Sequence, residues 1–427
     1  MNDLDRTVTR KVAWRLMPLL MACYFVAFLD RVNVGFAALT MNKDLGLTPV
    51  IFGWGAGIFF LGYFLFEVPS NLLLERVGAR LWIARIMFSW GVVSAATALV
   101  EGPATFLAAR FLLGLAEAGF FPGIVLYLTY WFPAAHRAKM VGMFMAAVPI
   151  SGVIGSPISG WILAIDGWGG LHGWQWLFIL EGIPSIAMSF VVLACLQDRP
   201  ARAPWLGDLE RDWLEGVLQR ERDFREGLRT YRLGEALLDG KVLLLCLVYL
   251  GLVTGLYGVT FWLPQIIKAF GLSNIQVGYV NAVPTFAAAI AMILWTRHSD
   301  RRRERTWHVA LPSFLGFLGL AASAYLASPV LAMVALTAAA VGIYAAIPTS
   351  WTLPTAFLTG TAAAGGIALI NSVGNLGGFA GPYLMGWLKE RTGDYGLGLL
   401  VLAIGLALAG LIALALRRIA ASERPAA

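Results

Sequence analysis

Twelve largely apolar stretches, each about as long as a bilayer-spanning helix, recur along the chain. They lie at roughly 14–36, 50–74, 81–100, 104–130, 139–164, 174–196, 242–268, 276–296, 308–327, 330–353, 363–387 and 395–416. About 20 such residues cross the hydrocarbon core as an α-helix. With 59% hydrophobic and 13% charged residues and a mean hydropathy of +0.73, the chain cannot present a soluble surface. The period-two alternation of a closed β-barrel is absent. The expected fold class is therefore an all-α integral membrane protein with 12 transmembrane helices.

Charge sidedness orients the helices. If the N-terminus is cytoplasmic, 26 of the 32 Lys and Arg residues fall in inside segments, and the outside loops hold four: Lys43, Lys268, Lys389 and Arg391. The positive-inside rule then places both termini in the cytoplasm. The first apolar stretch runs on through Asp30–Arg31 without a small-residue cleavage site, unlike a signal peptide. The net charge of +7 sits in loops on one side and does not suggest nucleic acid.

The longest polar stretch, Gln197 to Gly240, divides the chain into an N-terminal six-helix bundle (1–196), a cytoplasmic linker (197–240) and a C-terminal six-helix bundle (241–427). Its alternating charges read as a solvated helix near the membrane surface. A weak repeat supports the division. Glu75–Arg76 followed by Arg80 recurs with identical spacing as Asp300–Arg301 followed by Arg305, which suggests two pseudo-symmetric halves and a cytoplasmic gate. That layout is typical of secondary transporters with a site at the midplane. Glycines and serines cluster in the fifth span (Gly152, Gly155, Ser156, Ser159, Gly160) and glycines in the eleventh (Gly374, Gly377, Gly378, Gly381), where small faces let backbones approach.

Six ionisable residues interrupt the apolar segments, all in the first half: Asp30, Arg31, Glu67, Arg110, Glu117 and Glu181. A charge at bilayer depth costs roughly 2.5–3.5 kcal/mol on insertion scales, so such residues are read as functional by default. Arg110 and Glu117 are seven apart, close to two turns, and project from one face about 10.5 Å apart along the axis. The functional reading is an anion-binding arginine above a proton-binding carboxylate; the alternative is a buried structural ion pair. Asp30 and Arg31 point about 100° apart, so Asp30 is expected to pair with Arg110 while Arg31 faces substrate or the neighbouring bundle. Tyr63 shares a face with Glu67; it is read as a cavity residue, Glu67 and Glu181 as structural. The second half offers neutral groups for recognising hydroxyls: Tyr257, Asn281, Tyr344, Ser350, Trp351, Asn371 and Asn375. The four histidines and three cysteines have no metal or triad spacing, and no Walker-type loop is present. No cofactor, no metal and no enzymatic activity are expected.

The segments YFVAFLDRVNVGFAAL, GYFLFEVPSNLLLERVGAR, RFLLGLAEAGFFPGIVLYLTYWFP, LHGWQWLFILEGIP and GGIALINSVGNLGGFAGPYLMGW resemble the major facilitator superfamily. More narrowly they resemble its anion:cation symporter family, with wording similar to bacterial tartrate-type transporters. The loop after the second span departs from the superfamily pattern at Glu75 (usually Asp) and Asn71 (usually Gly), and the second copy has Arg303 where Gly is usual. The resemblance implies the major facilitator fold and a place in the bacterial inner membrane. It associates Asp30 and Glu117 with proton coupling and Arg31 and Arg110 with substrate, and favours Asn371 or Asn375 in the second half. The reading is a monomeric proton-coupled symporter of a small organic anion, a hydroxylated dicarboxylate such as tartrate or a sugar acid, working by alternating access. Its partners are the carboxylate substrate, protons and the bilayer. An anion exchanger, a sodium-coupled carrier and a non-transporting nutrient sensor are the alternatives.

Overall fold

A computed structural model describes residues 3–226, 239–302, 304–354 and 360–422, so Arg303 and part of the 197–240 linker lie outside the described residues. The described residues are almost entirely helical. In the first half the helices are α1 (Asp3–Asp44), α2 (Pro49–Val77), α3 (Ala79–Ala96), α4 (Pro103–Glu117), α5 (Phe120–Thr129), α6 (Ala134–Met145), α7 (Ala147–Leu163) and α8 (Gly173–Cys195). A cytoplasmic helix α9 (Asp208–Glu226) follows. The second half holds α10 (Gly240–Lys268), α11 (Asn274–Arg302), α12 (Thr306–Tyr325), α13 (Pro329–Ser350), α14 (Gly360–Thr392) and α15 (Gly396–Ser422).

Taking α4–α5 and α6–α7 each as one broken span, twelve segments cross the membrane in two six-helix bundles. Among the described residues eleven segments meet length and apolarity criteria for a span; α14, with 33 residues and a high glycine content, is the twelfth. The helices overrun the apolar stretches. At 42 residues α1 is about 63 Å long, so it projects well beyond the roughly 30 Å core.

Local chemistry sets the ends. Thr48 Oγ1 accepts the Ile51 N–H at 3.3 Å to open α2, with Pro49 at its first position. The Asp239 carboxylate accepts the Lys241 N–H at 2.7 Å to open α10. The fourth span breaks immediately after Glu117: Ala118 is extended and Gly119 takes φ +86°. Gly119 is needed there, since L side chains rarely tolerate positive φ, and Pro122 fits the first turn of the helix that follows. The fifth span bends at Ala146, just before Pro149, whose ring denies a backbone donor to the preceding turn.

Across the interface between halves, α2 packs on α14, α7 on α11 and α1 on α10. The first two pairs exchange with one another when the halves are swapped, as the pseudo-symmetry requires. Hydrocarbon supplies no hydrophobic drive between helices, so these contacts depend on close packing. They are closest in the outer leaflet. A Cβ added at Gly53 of α2 would stand 2.5 Å from the Pro382 carbonyl oxygen of α14, and one at Gly278 of α11 would stand 2.6 Å from the Ser156 carbonyl of α7. Asn42 and Gln265 also meet there, at 3.4 Å. The outer side of the interface is thus sealed by near backbone-to-backbone contact.

On the cytoplasmic side α9 docks under the first half. Lys11 Nζ meets Glu210 Oε2 at 2.5 Å, and Glu221 accepts the Ala134 N–H at 2.8 Å and pairs with Arg137 at 3.4 Å. Trp205 stacks on Trp131 with ring centroids 5.6 Å apart.

Candidate substrate and proton site

Arg31, about two-thirds of the way along α1, donates through Nη2 to Glu117 Oε1 and through Nη1 to the Tyr257 hydroxyl at 3.2 Å. Glu117 closes α4 at the break, and Tyr257 belongs to α10. One guanidinium therefore joins a carboxylate of its own half to a phenol of the other. Arg31 is 7% exposed and Glu117 fully buried. A charge at such depth is tolerable when paired and hydrogen-bonded.

Arg110 is fully buried on α4. Its Nε donates to the Gly55 carbonyl at 3.2 Å, and its two terminal nitrogens have no protein acceptor among the described residues. Phe59 lies between the two arginines, its ring centroid 5.4 Å from the Arg31 guanidinium and 5.3 Å from that of Arg110. Tyr63, one turn further along α2, offers its ring to Arg31 at 5.6 Å. Ring faces in this range attract cations without neutralising them, so Arg31 keeps its charge against Glu117 and Arg110 keeps its charge with its terminal nitrogens unbonded among the described residues.

Asp30 does not pair with Arg110 as expected from the sequence. It turns into its own bundle, where it accepts from Trp90 Nε1 at 3.0 Å, Ser94 Oγ at 2.8 Å and Ser185 Oγ at 2.5 Å. The reason lies in helix rotation: α1 presents its Asp30 face to α3 and α8, and the 100° offset sends Arg31 to the centre. Glu181 meets Ser159 Oγ at 2.7 Å.

The second half contributes less than the sequence suggested. Asn371 Nδ2 donates to Glu67 Oε1 at 3.0 Å across the halves, so Glu67 has a partner in the opposite bundle. Asn375 is half-buried one turn away. Ser350 is turned back onto the Ile347 carbonyl at 2.7 Å, and Trp351 packs edge-on against Tyr249, 4.7 Å between centroids. Asn281 donates to Ser156 at 2.9 Å, beside a cavity of about 50 Å³ that Tyr344 also lines.

The repeated cytoplasmic motifs bond within their own halves. Arg80 donates from its backbone N–H to Asp198 at 2.9 Å and from Nε to the Leu193 carbonyl at 2.6 Å. Arg305 pairs with Asp300 at 2.6 Å. Arg76 and Arg301 are exposed, and Glu75 lines a cytoplasmic cavity of about 1020 Å³ between α5 and α9. Among the described residues no ion pair joins the two motifs.

Three features were not anticipated from the residues alone: the Trp90–Ser94–Ser185 cradle, the Phe59 ring and the break at Glu117. Each had a local signal. Trp90 and Ser94 are four apart on one face of α3, as Phe59 and Tyr63 are on α2, and Glu117 precedes an Ala-Gly-Phe-Phe-Pro run.

The family model for the Major Facilitator Superfamily matches residues 20–382. A protein of Agrobacterium vitis with the provisional name tartrate transporter is 53% identical over 417 residues, covering 98% of this chain and 93% of the relative. A quinolone resistance transporter of Acinetobacter baumannii is 44% identical, covering 94% and 93%. A bacterial homologue of the human lysosomal transporter Spinster, solved inward-facing and unoccupied, superposes with a TM-score of 0.76 at 18% identity, covering 98% of this chain and 99% of that one.

Proposed function

The chain belongs to the major facilitator superfamily, and from that premise we propose that it imports a small organic anion together with protons. It is a multi-pass transporter of the inner membrane rather than an enzyme. The observation that carries the proton-coupled reading is the Arg31–Glu117–Tyr257 bridge.

While Glu117 is ionised it occupies the guanidinium that would hold a substrate carboxylate. A proton on Glu117 frees that fork, and a planar guanidinium matches a carboxylate in bidentate geometry. Arg110, whose terminal nitrogens have no protein acceptor among the described residues, supplies a second cation for a second carboxylate. Tyr257 feels the change from the other half, so loading the site alters a contact between the bundles. The filled cavity holds paired rather than orphaned charges and can be occluded at lower cost. With the outer seam closed, proton and anion leave towards the cytoplasm, and Arg31 returns to Glu117. The Glu75, Arg76 and Arg80 cluster closes the cytoplasmic side in the opposite state. Substrate hydroxyls are recognised by the neutral groups of the second half, among them Asn371, which reaches Glu67, and Asn375 one turn away. The relative named for tartrate makes a hydroxylated dicarboxylate the first substrate to test.

The test is pH in a weakly buffered suspension of proteoliposomes as tartrate, galactonate or phthalate is added. Symport predicts that one anion alkalinises the medium as it enters. Anion uptake that leaves the medium unchanged but requires a trapped internal anion would replace symport by exchange.

A further inference from the structure

The second copy of the cytoplasmic motif carries a polar cluster that the first copy lacks. His298, Glu304 and His308 stand in the places of Leu73, Ala79 and Ile83, at the same interval that relates Asp300, Arg301 and Arg305 to Glu75, Arg76 and Arg80. Ala79 and Ile83 are buried apolar residues, so this part of the fold is satisfied without a titratable group.

The three side chains are bonded in series. His298 Nδ1 lies 2.8 Å from His308 Nε2, and His308 Nδ1 lies 2.9 Å from Glu304 Oε2. His298 is exposed. His308 is 6% exposed, and its ring packs on Trp295, 4.9 Å between centroids. The series therefore runs from the cytoplasm into the second bundle.

Hydrogen counting defines its states. Partial burial raises the Glu304 carboxyl, but the Trp307 N–H, 3.0 Å away, and His308 hold it below the usual glutamate range. An ionised carboxylate only accepts, so His308 Nδ1 carries a hydrogen. The two facing ring nitrogens have room for one hydrogen between them. The pair thus holds two ring hydrogens when neutral and at most three while the contact lasts, so it takes up one proton. An entering proton forms an N–H bond at His298 Nε2. The bridging hydrogen leaves His298 Nδ1 and bonds to His308 Nε2, and the positive charge comes to rest beside Glu304.

The surrounding charges are few. On α11, Asp300 is engaged by Arg305 at 2.6 Å, and Arg297, Arg301 and Arg302 are exposed. Helices α7 and α13 carry no acidic or basic residue, α10 opens with Asp239 and Lys241, and α15 ends with Arg417 and Arg418. The gate motif shares the loop. Ser299 Oγ donates to the Glu304 carbonyl at 2.7 Å and accepts from Arg305 at 3.1 Å, and Trp295 Nε1 donates to the His308 carbonyl at 2.9 Å. Charging His308 turns its bond to Glu304 into an ion pair. That tightens the arrangement in which Asp300 and Arg305 bond within their own half.

We propose that His298, His308 and Glu304 form a one-proton sensor of cytoplasmic pH, whose charging holds the transporter in this outward-closed state. The state that binds the proton more tightly gains as pH falls. In a proton-coupled importer the sensor is a brake that engages as the cytoplasm acidifies. The brake rests on the symport reading above; the sensor does not.

Nitrogen-15 NMR of the histidine-labelled full chain in proteoliposomes tests the site. From about pH 8 to 5, the range in which imidazoles ordinarily titrate, His298 and His308 are expected to gain one imidazolium charge between them. Their signals are assigned by loss in His298→Asn and in His308→Asn. Two imidazolium rings at the acid end, each titrating as it does in the other's absence, overturn the shared proton. Labelling of a cysteine replacing Gln265 by an impermeant reagent outside right-side-out vesicles, at fixed external pH, tests the response. Lowering internal pH by about one unit, tenfold in proton activity, should slow labelling severalfold in the otherwise wild-type chain. The fall should be smaller in His298→Asn and in His298→Leu/His308→Ile, which installs the residues of the first copy. An equal fall in all three overturns the sensing role. Should the double variant not fold, His298→Asn, changed at an exposed position, still decides. Wild-type uptake indifferent to a proton gradient would sink the symport reading and the brake, while both measurements still decide on the sensor.

Discussion

Glu117→Gln isolates the link between proton and anion. The amide keeps the shape of the side chain and an acceptor oxygen for Arg31, but removes the charge. In the wild type an incoming carboxylate competes with ionised Glu117 for Arg31, and prevails once Glu117 is protonated. Above the pH at which Glu117 titrates, each further unit should add about 1.36 kcal/mol to the cost of binding, a tenfold rise in Kd. The slope should be one decade per unit, because Arg31 faces a single carboxylate; the oxygens of Asp30 are taken by Trp90, Ser94 and Ser185. In the variant the slope should vanish, so at the alkaline end it binds more tightly than the wild type by about tenfold per unit beyond the crossing point. Equilibrium binding of labelled tartrate to purified protein over about three pH units measures both curves, and uptake against a gradient measures coupling. Uphill accumulation should be lost. A wild-type Kd flat in pH, or a variant that keeps the full slope, would refute the competition. A slope of two decades would mean that Asp30 also controls Arg31.

Three further outcomes are expected. Gly53→Ala places a methyl against the Pro382 carbonyl and should weaken the outward-closed state by about 1–3 kcal/mol. Labelling from outside of a cysteine replacing Gln265 should accelerate about tenfold, and an unchanged rate would show that the seam yields elsewhere. Trp90→Phe removes one donor to Asp30 at a cost of about 1.5–3 kcal/mol, so the thermal midpoint should fall; an unchanged midpoint would mean the indole bond contributes nothing. The side-chain contact with Lys11 and the Gly207 N–H hold the Glu210 carboxyl below the usual glutamate range. A depressed carboxylate contributes stability above its unfolded value and loses it as pH falls through the folded one. Proteolysis of α9 should therefore be slow at neutral pH and quicken in acid, and also in high salt because the pair is exposed. Equal cleavage rates at neutral and acid pH would remove Glu210 as an anchor.

Most of the fold was legible because bilayer crossing is a length criterion applied to one property, hydropathy. The polar site was legible in part. Residue spacing places Arg110 and Glu117 on one face and separates Asp30 from Arg31, but spacing does not say which neighbour each face meets. That depends on the rotation of α1 against α3, α8 and α10, which is set by packing over its whole length. Hence the expected partner of Asp30 was the wrong one, and the Arg31–Glu117 contact between residues 86 apart has no local signal. The glycines of α14 and α7 stood out as clusters. Those of α2, Gly53 and Gly57, did not, because their role exists only opposite α14. Ser350 and Trp351 failed to converge on the centre for the same reason: polarity within a span marks a side chain that needs a partner, and Ser350 found one in its own helix.

The outer seam has an evolutionary corollary. Where α2 meets α14 and α7 meets α11, the tightest approaches set glycines against carbonyl oxygens, and a carbonyl oxygen is the same on every residue. Closure there depends on room, whereas selectivity, in the function proposed above, depends on the charged side chains of Arg31 and Arg110. Cargo and machinery can therefore diverge separately. A lineage can exchange the residues around Arg31 and Arg110 without rebuilding the closure, provided nothing larger than hydrogen appears on the glycines of the seam. A tartrate-named and a quinolone-resistance relative, at 53% and 44% identity, are what such a division of labour permits.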